Sequence, residues 1–282
     1  MDIHKEHRHG SPDFPIRIYT GHCSAGFQIY PHYHTEFEFL FLTEGSGVLC
    51  VDGERRPLRQ GDGAFLDSGA IHLGIAADDQ PAAFCAIVFA PEIFGPLLGD
   101  RVTDRYVTPV LQKELRLPPL YTPEVPWQRE VLQTAESLCA LGNAPGTELE
   151  TKSRLFHLWA LLCAHGQPLE QRTGSRVSEI RQVMAYMEQA YPARLTLAEL
   201  AARAHMSEGY FCRSFTALTQ TSPIAYLLQV RLRKSCELLT GSDQPISQIA
   251  LGCGFSDFSY YTRCFRRMFG CTPSEYRNRH RK

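Results

Sequence analysis

The stretch "ISQIALGCGFSDFSYYTRCFRRMFGCTPSEYR" (residues 246–277) decides how the second half of this chain folds, because the chain contains it twice. Its counterpart is "LAELAARAHMSEGYFCRSFTALTQTSPIAYL" (197–227). Leu200-Ala201 falls on Ile249-Ala250 and Met206-Ser207 on Phe255-Ser256, an offset of 49. Arg213, Phe215, Pro223 and Tyr226 fall on Arg263, Phe265, Pro273 and Tyr276, an offset of 50. One residue is therefore inserted at the start of the second copy's later helix. A repeat of this length is one supersecondary unit used twice.

Each copy has the grammar of a helix-turn-helix. A short helix buries Leu-Ala or Ile-Ala, and a tight turn follows, with Gly254 in the second copy where a left-handed residue fits. His205 holds that place in the first copy, a less comfortable residue. Ser207 and Ser256 are N-cap types for the next helix. That helix sets Phe211 and Phe215, or Tyr261 and Phe265, four apart on its inner face. The outward residues between them include Arg213 and Arg263, which can donate to guanine or to phosphate. The segments "RLRK" (231–234), Arg266-Arg267 and "RNRHRK" (277–282) suit backbone phosphates.

Charge supports this reading. From Arg176 to Lys282 there are 15 Lys and Arg against 8 Asp and Glu, a net of +7, and the remainder has 14 against 22, a net of −8. A basic second half behind an acidic first half points to a polyanion as partner. The length of 282 residues implies about two domains. No apolar run reaches the roughly 18 residues of a membrane helix, and the polar start "MDIHKEHRHG" reads as a solvated, disordered segment without a signal peptide. The ten cysteines have no CxxC spacing, and most of them read as small buried thiols of a reducing, cytoplasmic compartment.

On these motifs residues 177–280 resemble the DNA-binding domain of the AraC/XylS family of transcription regulators. The resemblance implies two helix-turn-helix units joined by a long helix, with recognition helices in successive major grooves of double-stranded promoter DNA. By position it implies that Gly209, Cys212 and Arg213 read bases in the first unit, and Ser259, Thr262 and Arg263 in the second, with Ser207 and Arg266 also at the DNA. Gly209 and Cys212 offer little hydrogen bonding, so Arg213 carries most of the first unit's reading.

The first half opens on a different motif, "PHYHTEFEFLFLTEG" (31–45). Residues 13 to about 110 alternate apolar and polar between Gly, Asp and Pro turns, with "EGSG" and "VDGERR" as hairpin turns, and read as a β-barrel or sandwich. Strict alternation puts His32, His34, Glu36 and Glu38 on one strand face, and Phe37, Phe39 and Phe41 on the other. The full spacing, Gly26-x5-His32-x-His34-x3-Glu38-x6-Gly45 and Gly61-x5-Asp67-x-Gly69-x2-His72, resembles the two cupin motifs. Asp67 and Ala76 depart from that pattern, at positions that are not metal ligands. The fold expected is thus two-domain: an N-terminal all-β cupin-like (double-stranded β-helix) barrel with trailing helices, and a C-terminal all-α domain with two helix-turn-helix units joined by a long helix. The boundaries are a disordered start (1–12), an effector-binding barrel (13–115), a connector with a helical dimerisation segment (116–165), a linker (166–175) and the DNA-binding domain (176–282).

Three readings of the histidine cluster stand side by side. One is a metal-free sensor pocket in which His32, His34, Glu36, Glu38, His72 and Tyr30 bind a small polar effector. Another is a divalent metal, Zn, Ni, Fe or Mn, held by His32, His34, Glu38 and His72. The last is a set of side chains that only satisfy one another. The stripe at Leu155, Leu158, Trp159 and Leu162 fits either a homodimer contact or the domain's own core. Segment 89–109 resembles the region after the barrel in family members tied to carbohydrate use, which implies a sugar effector. The function expected is a ligand-responsive, sequence-specific DNA-binding regulator of carbohydrate-use genes, and not an enzyme. The alternative is a cupin metal-dependent dioxygenase or isomerase.

Overall fold

Eight strands come before the first helix in the computed structural model, which describes residues 9–24, 28–77, 80–96, 99–169 and 176–280. They are β1 (Ile16–Cys23), β2 (Gln28–His32), β3 (Phe37–Glu44), β4 (Ser46–Val51), β5 (Glu54–Arg59), β6 (Gly63–Leu66), β7 (His72–Ala76) and β8 (Ala82–Phe89). After the helical turn α1 (Thr108–Leu111) come the short strands β9 (Leu115–Arg116) and β10 (Leu120–Tyr121). The helices α2 (Pro126–Leu141) and α3 (Glu148–Ala164) follow, then β11 (Gln167–Pro168). Two antiparallel sheets result, in the orders β1-β8-β3-β6-β10 and β2-β7-β4-β5, with β9 and β11 as a separate pair. The chain divides into two units, residues 1–173 and 174–282.

The hairpin "VDGERR" forms as read: Val51 pairs with Glu54 across Asp52 and Gly53, both at positive φ. "EGSG" does not. β3 and β4 belong to different sheets, so the chain crosses the barrel at Gly45 instead of turning back on itself. His32, His34, Glu36 and Glu38 likewise do not share one strand. Residues 33–36 form a bend that carries the chain from the four-stranded sheet to the five-stranded one.

Alternation along β3 sets up the core. Phe37, Phe39 and Phe41 pack outward with Ile87 and Phe89, and Glu38, Leu40 and Leu42 face the barrel interior. The outward phenylalanines need cover, and α3 supplies it. Leu155, Leu158, Trp159 and Leu162 are all buried, with the Trp159 ring 4.9 Å from Phe37 and 5.0 Å from Phe94. The stripe is therefore the domain's own core, and it is not available as a dimer seam. The barrel also runs beyond residue 115, since β10 extends the five-stranded sheet and buries Tyr121. Gln167 and Pro168, expected in the linker, pair with β9; residues 170–175 lie outside the described residues. Cys85 on β8 and Cys139 on α2 form a disulfide, where the sequence suggested buried thiols. Both face the sheet–helix core, where folding brings residues 54 positions apart together.

The second unit is helical: α4 (Arg176–Ala190), α5 (Leu197–Arg203), α6 (Glu208–Thr219), α7 (Pro223–Gly241), α8 (Ile246–Gly252), α9 (Phe258–Phe269) and α10 (Pro273–His280). The pairs α5–α6 and α8–α9 are the two repeats, joined by the long α7. Phe211, Phe215, Tyr261 and Phe265 are fully buried. Thr196 and Glu199 close a capping box on α5. His205 sits at φ 53 and Gly254 at φ 83, the left-handed residues the turns need. A Cβ at Gly254 would lie 2.7 Å from the Pro192 carbonyl oxygen, so glycine is needed there for space as well as for φ. Ser207 takes the N-cap position of α6 but makes no side-chain capping bond. In the second repeat Asp257, and not Ser256, is the N-cap, accepting from the Tyr260 amide. Ser256 is the inserted residue, displaced one position into the turn.

Candidate functional site

The barrel interior gathers the histidines of both motifs. His32 closes β2, His34 lies in the bend, Glu38 is on β3 and His72 opens β7, paired with His32 across the sheet. Each imidazole has its Nδ1 against a backbone carbonyl: His32 on Tyr30 (2.8 Å), His34 on Glu36 (3.1 Å) and His72 on Ala70 (2.9 Å). A carbonyl oxygen only accepts, so each Nδ1 carries its proton and each Nε2 is the inward atom. His34 Nε2 lies 3.0 Å and His72 Nε2 3.4 Å from Glu38 Oε2. One ligand atom from each of His32, His34 and His72 falls within 4.8 Å of the others.

This geometry has an electrostatic consequence. Burial pulls the His34 imidazole down, but the hydrogen bond and charge of Glu38, with Glu36 behind it, outweigh burial and raise its pKa. Burial pushes the Glu38 carboxyl up, yet the His34 hydrogen bond and the charges of His34 and His72 hold it well below the usual range. His72 Nε2 is buried 3.4 Å from Glu38 Oε2 without closing a hydrogen bond. An orphaned inward nitrogen, three imidazoles oriented by backbone acceptors and one carboxylate fit a divalent cation, with the carbonyls as the outer-shell orienting groups such sites use.

Sequence reasoning missed His9, which it placed in a solvated tail. Residues 1–8 lie outside the described residues, but His9 is 7% exposed. Its backbone N–H donates to Glu36 Oε1 (3.1 Å), its Nδ1 is 2.8 Å from the Tyr19 hydroxyl, and its ring is 5.1 Å from that of His34. These are contacts across 10 to 27 residues with no spacing signal to announce them. Glu36 is buried and anchors this arm, and with His9 and His34 it forms a second group whose ligand atoms lie within 4.8 Å of one another, sharing His34 with the first. Tyr30 is the other correction. The register shifts between Ile29 and His32, so Ile29 and His32 both line the cavity, with Tyr19 on β1, while the Tyr30 carbonyl accepts from His32 Nδ1. Gly26 lies outside the described residues. Asp67, at the departure from the cupin pattern, pairs with Lys113 (2.6 Å).

In the helical unit, Ser207, Gly209, Arg213, Ser259, Arg263 and Arg266 are exposed, and Cys212 and Thr262 half-buried, on the outer faces of α6 and α9 and the cap of α6. The Thr262 hydroxyl bonds the Phe258 carbonyl of its own helix (2.9 Å). The sequence reading omitted three exposed aromatics on these faces, Tyr210, Phe258 and Tyr260. Tyr210 and Tyr260 occupy the same position in the two repeats, and the Arg263 guanidinium lies 5.5 Å from the Tyr260 ring. Exposed rings at matched helix positions were the available signal.

Three arginines assigned to phosphates have other partners. Arg231 donates to the Tyr191 and Ala193 carbonyls (both 2.8 Å), Arg233 pairs with Glu188 (2.6 Å), and Arg277 donates to the Leu239 and Gln244 carbonyls. A guanidinium on α7 or α10 reaches the carbonyls at loop and helix ends, which the sequence does not display. Arg231→Ala should therefore lower unfolding stability by about 2–4 kcal/mol, since two charge-assisted bonds go and two carbonyls lose their donor. Chemical denaturation and a salt titration of DNA binding check this: the slope against salt should stay unchanged, and a slope shallower by about one would restore a phosphate role.

Comparison with known proteins agrees with both halves. Residues 200–279 match a helix-turn-helix domain and residues 18–159 the AraC-like ligand binding domain. The HTH-type transcriptional activator RhaR of Mannheimia succiniciproducens is 23% identical over 95% of this chain and 94% of its own. The MmsAB operon regulatory protein of Pseudomonas aeruginosa is 29% identical over 88% of this chain and 77% of its own. The structure of ToxT from Vibrio cholerae, 11% identical, covers 93% of this chain and 98% of that chain with a TM-score of 0.50, a likeness of fold. Fold, site and relatives define a two-domain transcription regulator that binds DNA and carries a ligand-binding domain. The chain belongs to the AraC/XylS family, and this family membership replaces the cupin-enzyme alternative. Among the described residues no helix is long and apolar enough to cross a membrane.

Proposed function

We propose that this regulator is a cytoplasmic homodimer that binds promoter DNA in response to an effector received at a divalent metal held by His32, His34, Glu38 and His72. The observation that carries the metal is the set of three Nδ1–carbonyl bonds, which leave three Nε2 atoms converging beside Glu38. In a metal-free pocket His34 must keep a second proton to meet Glu38, and a cation at that point replaces the proton. Effector binding favours one arrangement of the DNA-binding units by a population shift. The expectation of carbohydrate-use genes with a sugar effector rests on segment 89–109, which packs Ile93, Phe94 and Val107 into the helix-facing core and does not line the cavity, so the cavity's own chemistry and not that segment selects the effector.

The test is metal analysis of the purified full chain together with gel shifts on its upstream DNA at one stated salt. About one equivalent of bound divalent metal per chain, and a DNA affinity that changes on chelation and returns on reloading, is the expected result. A chain that retains no metal after exposure to Zn, Ni, Fe or Mn would return the site to the metal-free reading.

A further inference from the structure

We propose that the effector is a small amphipathic carboxylate, its head at the His–Glu centre and its apolar body of a few carbons lying along the barrel interior. This rests on the reading of that centre as the sensor site. The strands that supply the centre turn apolar within two residues of it. On β3 the inward positions run Glu38, Leu40, Leu42, and on β7 His72, Gly74, Ala76. On the neighbouring β8, in register with Glu38, Leu40 and Leu42, stand Val88, Ala86 and Phe84. One cavity lies under the histidines and a second lies further along β3, and they share Ile29, Leu40, Leu49, Gly74 and Phe84 as common walls. The second adds Leu42, Leu58 and Ala82 to its lining, and the Cys23 thiol is its one side-chain polar group among the described residues. The cavities measure about 30 and 40 Å³, which limits the body to a few carbons.

Chemistry selects the ligand class. A divalent ion with the Glu38 carboxylate and three neutral imidazoles carries one net positive charge on its own ligands; Glu36 stands behind His34, tied to the His9 amide, and a carboxylate entering from the cavity meets that charge directly. A neutral polyol leaves that charge in place and brings hydroxyls against leucine, alanine and phenylalanine. Each hydroxyl buried without a partner weakens binding on the order of tenfold. Each methylene of an acyl body gains about fourfold from the same walls.

Isothermal titration of the zinc-loaded full chain with acetate, propanoate, butanoate and 3-methylbutanoate, and with erythritol and arabinose, decides the matter. The expected result is an affinity that climbs about fourfold per added carbon until the cavity is full, with no binding of either polyol. Ala86→Leu, which narrows the wall without touching a ligating residue, should retain zinc and lose the gain with chain length. A polyol that binds as tightly as butanoate, or a flat series from acetate to butanoate, overturns the proposal. The wild-type series decides even if the variant fails to fold. Gel shifts run alongside separate the two readings. A chain that never retards DNA fails as a regulator, whatever the calorimetry shows. A chain that retards DNA and holds zinc but ignores every carboxylate fails only this proposal.

Discussion

Replacing Arg213 and Arg263 together with alanine is expected to remove specific DNA retention, with an affinity loss of about 10²- to 10⁴-fold and little change in folding. Each arginine is exposed on the outer face of its recognition helix, at the matched position of the two repeats. A well-placed arginine on a base edge is worth about 1–3 kcal/mol. The two repeats bind one DNA, so the losses combine, and neither side chain is part of either core. Arg263 should contribute the larger share, since its guanidinium is held 5.5 Å from the Tyr260 ring. Arg266→Ala serves as the contrast: it should flatten the salt dependence by about one and weaken all sequences alike. Gel shifts with specific and scrambled DNA at several salt concentrations measure all three. A double variant that still discriminates between the two sequences would move base reading to other residues, with Tyr210 and Tyr260 the first to test.

The second large effect lies at Glu38. Glu38→Gln keeps the shape and removes the charge, and it should raise the dissociation constant for a divalent metal by more than about 100-fold, beyond the range seen for outer-shell changes. It should also destabilise the chelated chain by about 3–5 kcal/mol, because breaking a buried pair leaves the His34 imidazole without its counter-charge. Metal content measures the first and urea denaturation of the metal-free chain the second. Glu36→Gln is the matched comparison: it should keep the metal, since Glu36 holds the His9 amide and stands beside the cluster. If the Glu36 variant loses the metal and the Glu38 variant keeps it, the ligand set is wrong.

How far the site was legible depends on how far apart its parts lie in the chain. His32, His34, Glu38 and His72 could be read because spacing within two short motifs is a property of the sequence. Their pairing across two sheets agrees with that spacing, although a bend and not one strand sets the first three. His9 and Tyr19 could not be read, since what brings them to Glu36 and His34 is the packing of an arm against a strand. Tyr30 was misplaced for a related reason: a single register shift on β2 reverses which side chain enters the barrel. The arginines show the same division. Arg213 and Arg263 are legible as exposed because the helical period places them opposite the buried aromatics. Arg231, Arg233 and Arg277 look equally free in the sequence and are bound to carbonyls or a carboxylate in the fold.

The class of this protein follows from patterns local in the chain. A repeat of helix period, a pair of turns needing left-handed residues and two histidine motifs are local patterns, and local patterns follow from backbone sterics and side-chain periodicity. Only the tertiary structure decided that Leu155, Leu158, Trp159 and Leu162 cover the protein's own phenylalanines, that Cys85 meets Cys139, and that the histidines face an apolar barrel interior. Each of those depends on which surfaces meet across long stretches of chain. That choice is made by the burial of the whole core, and no segment carries it alone.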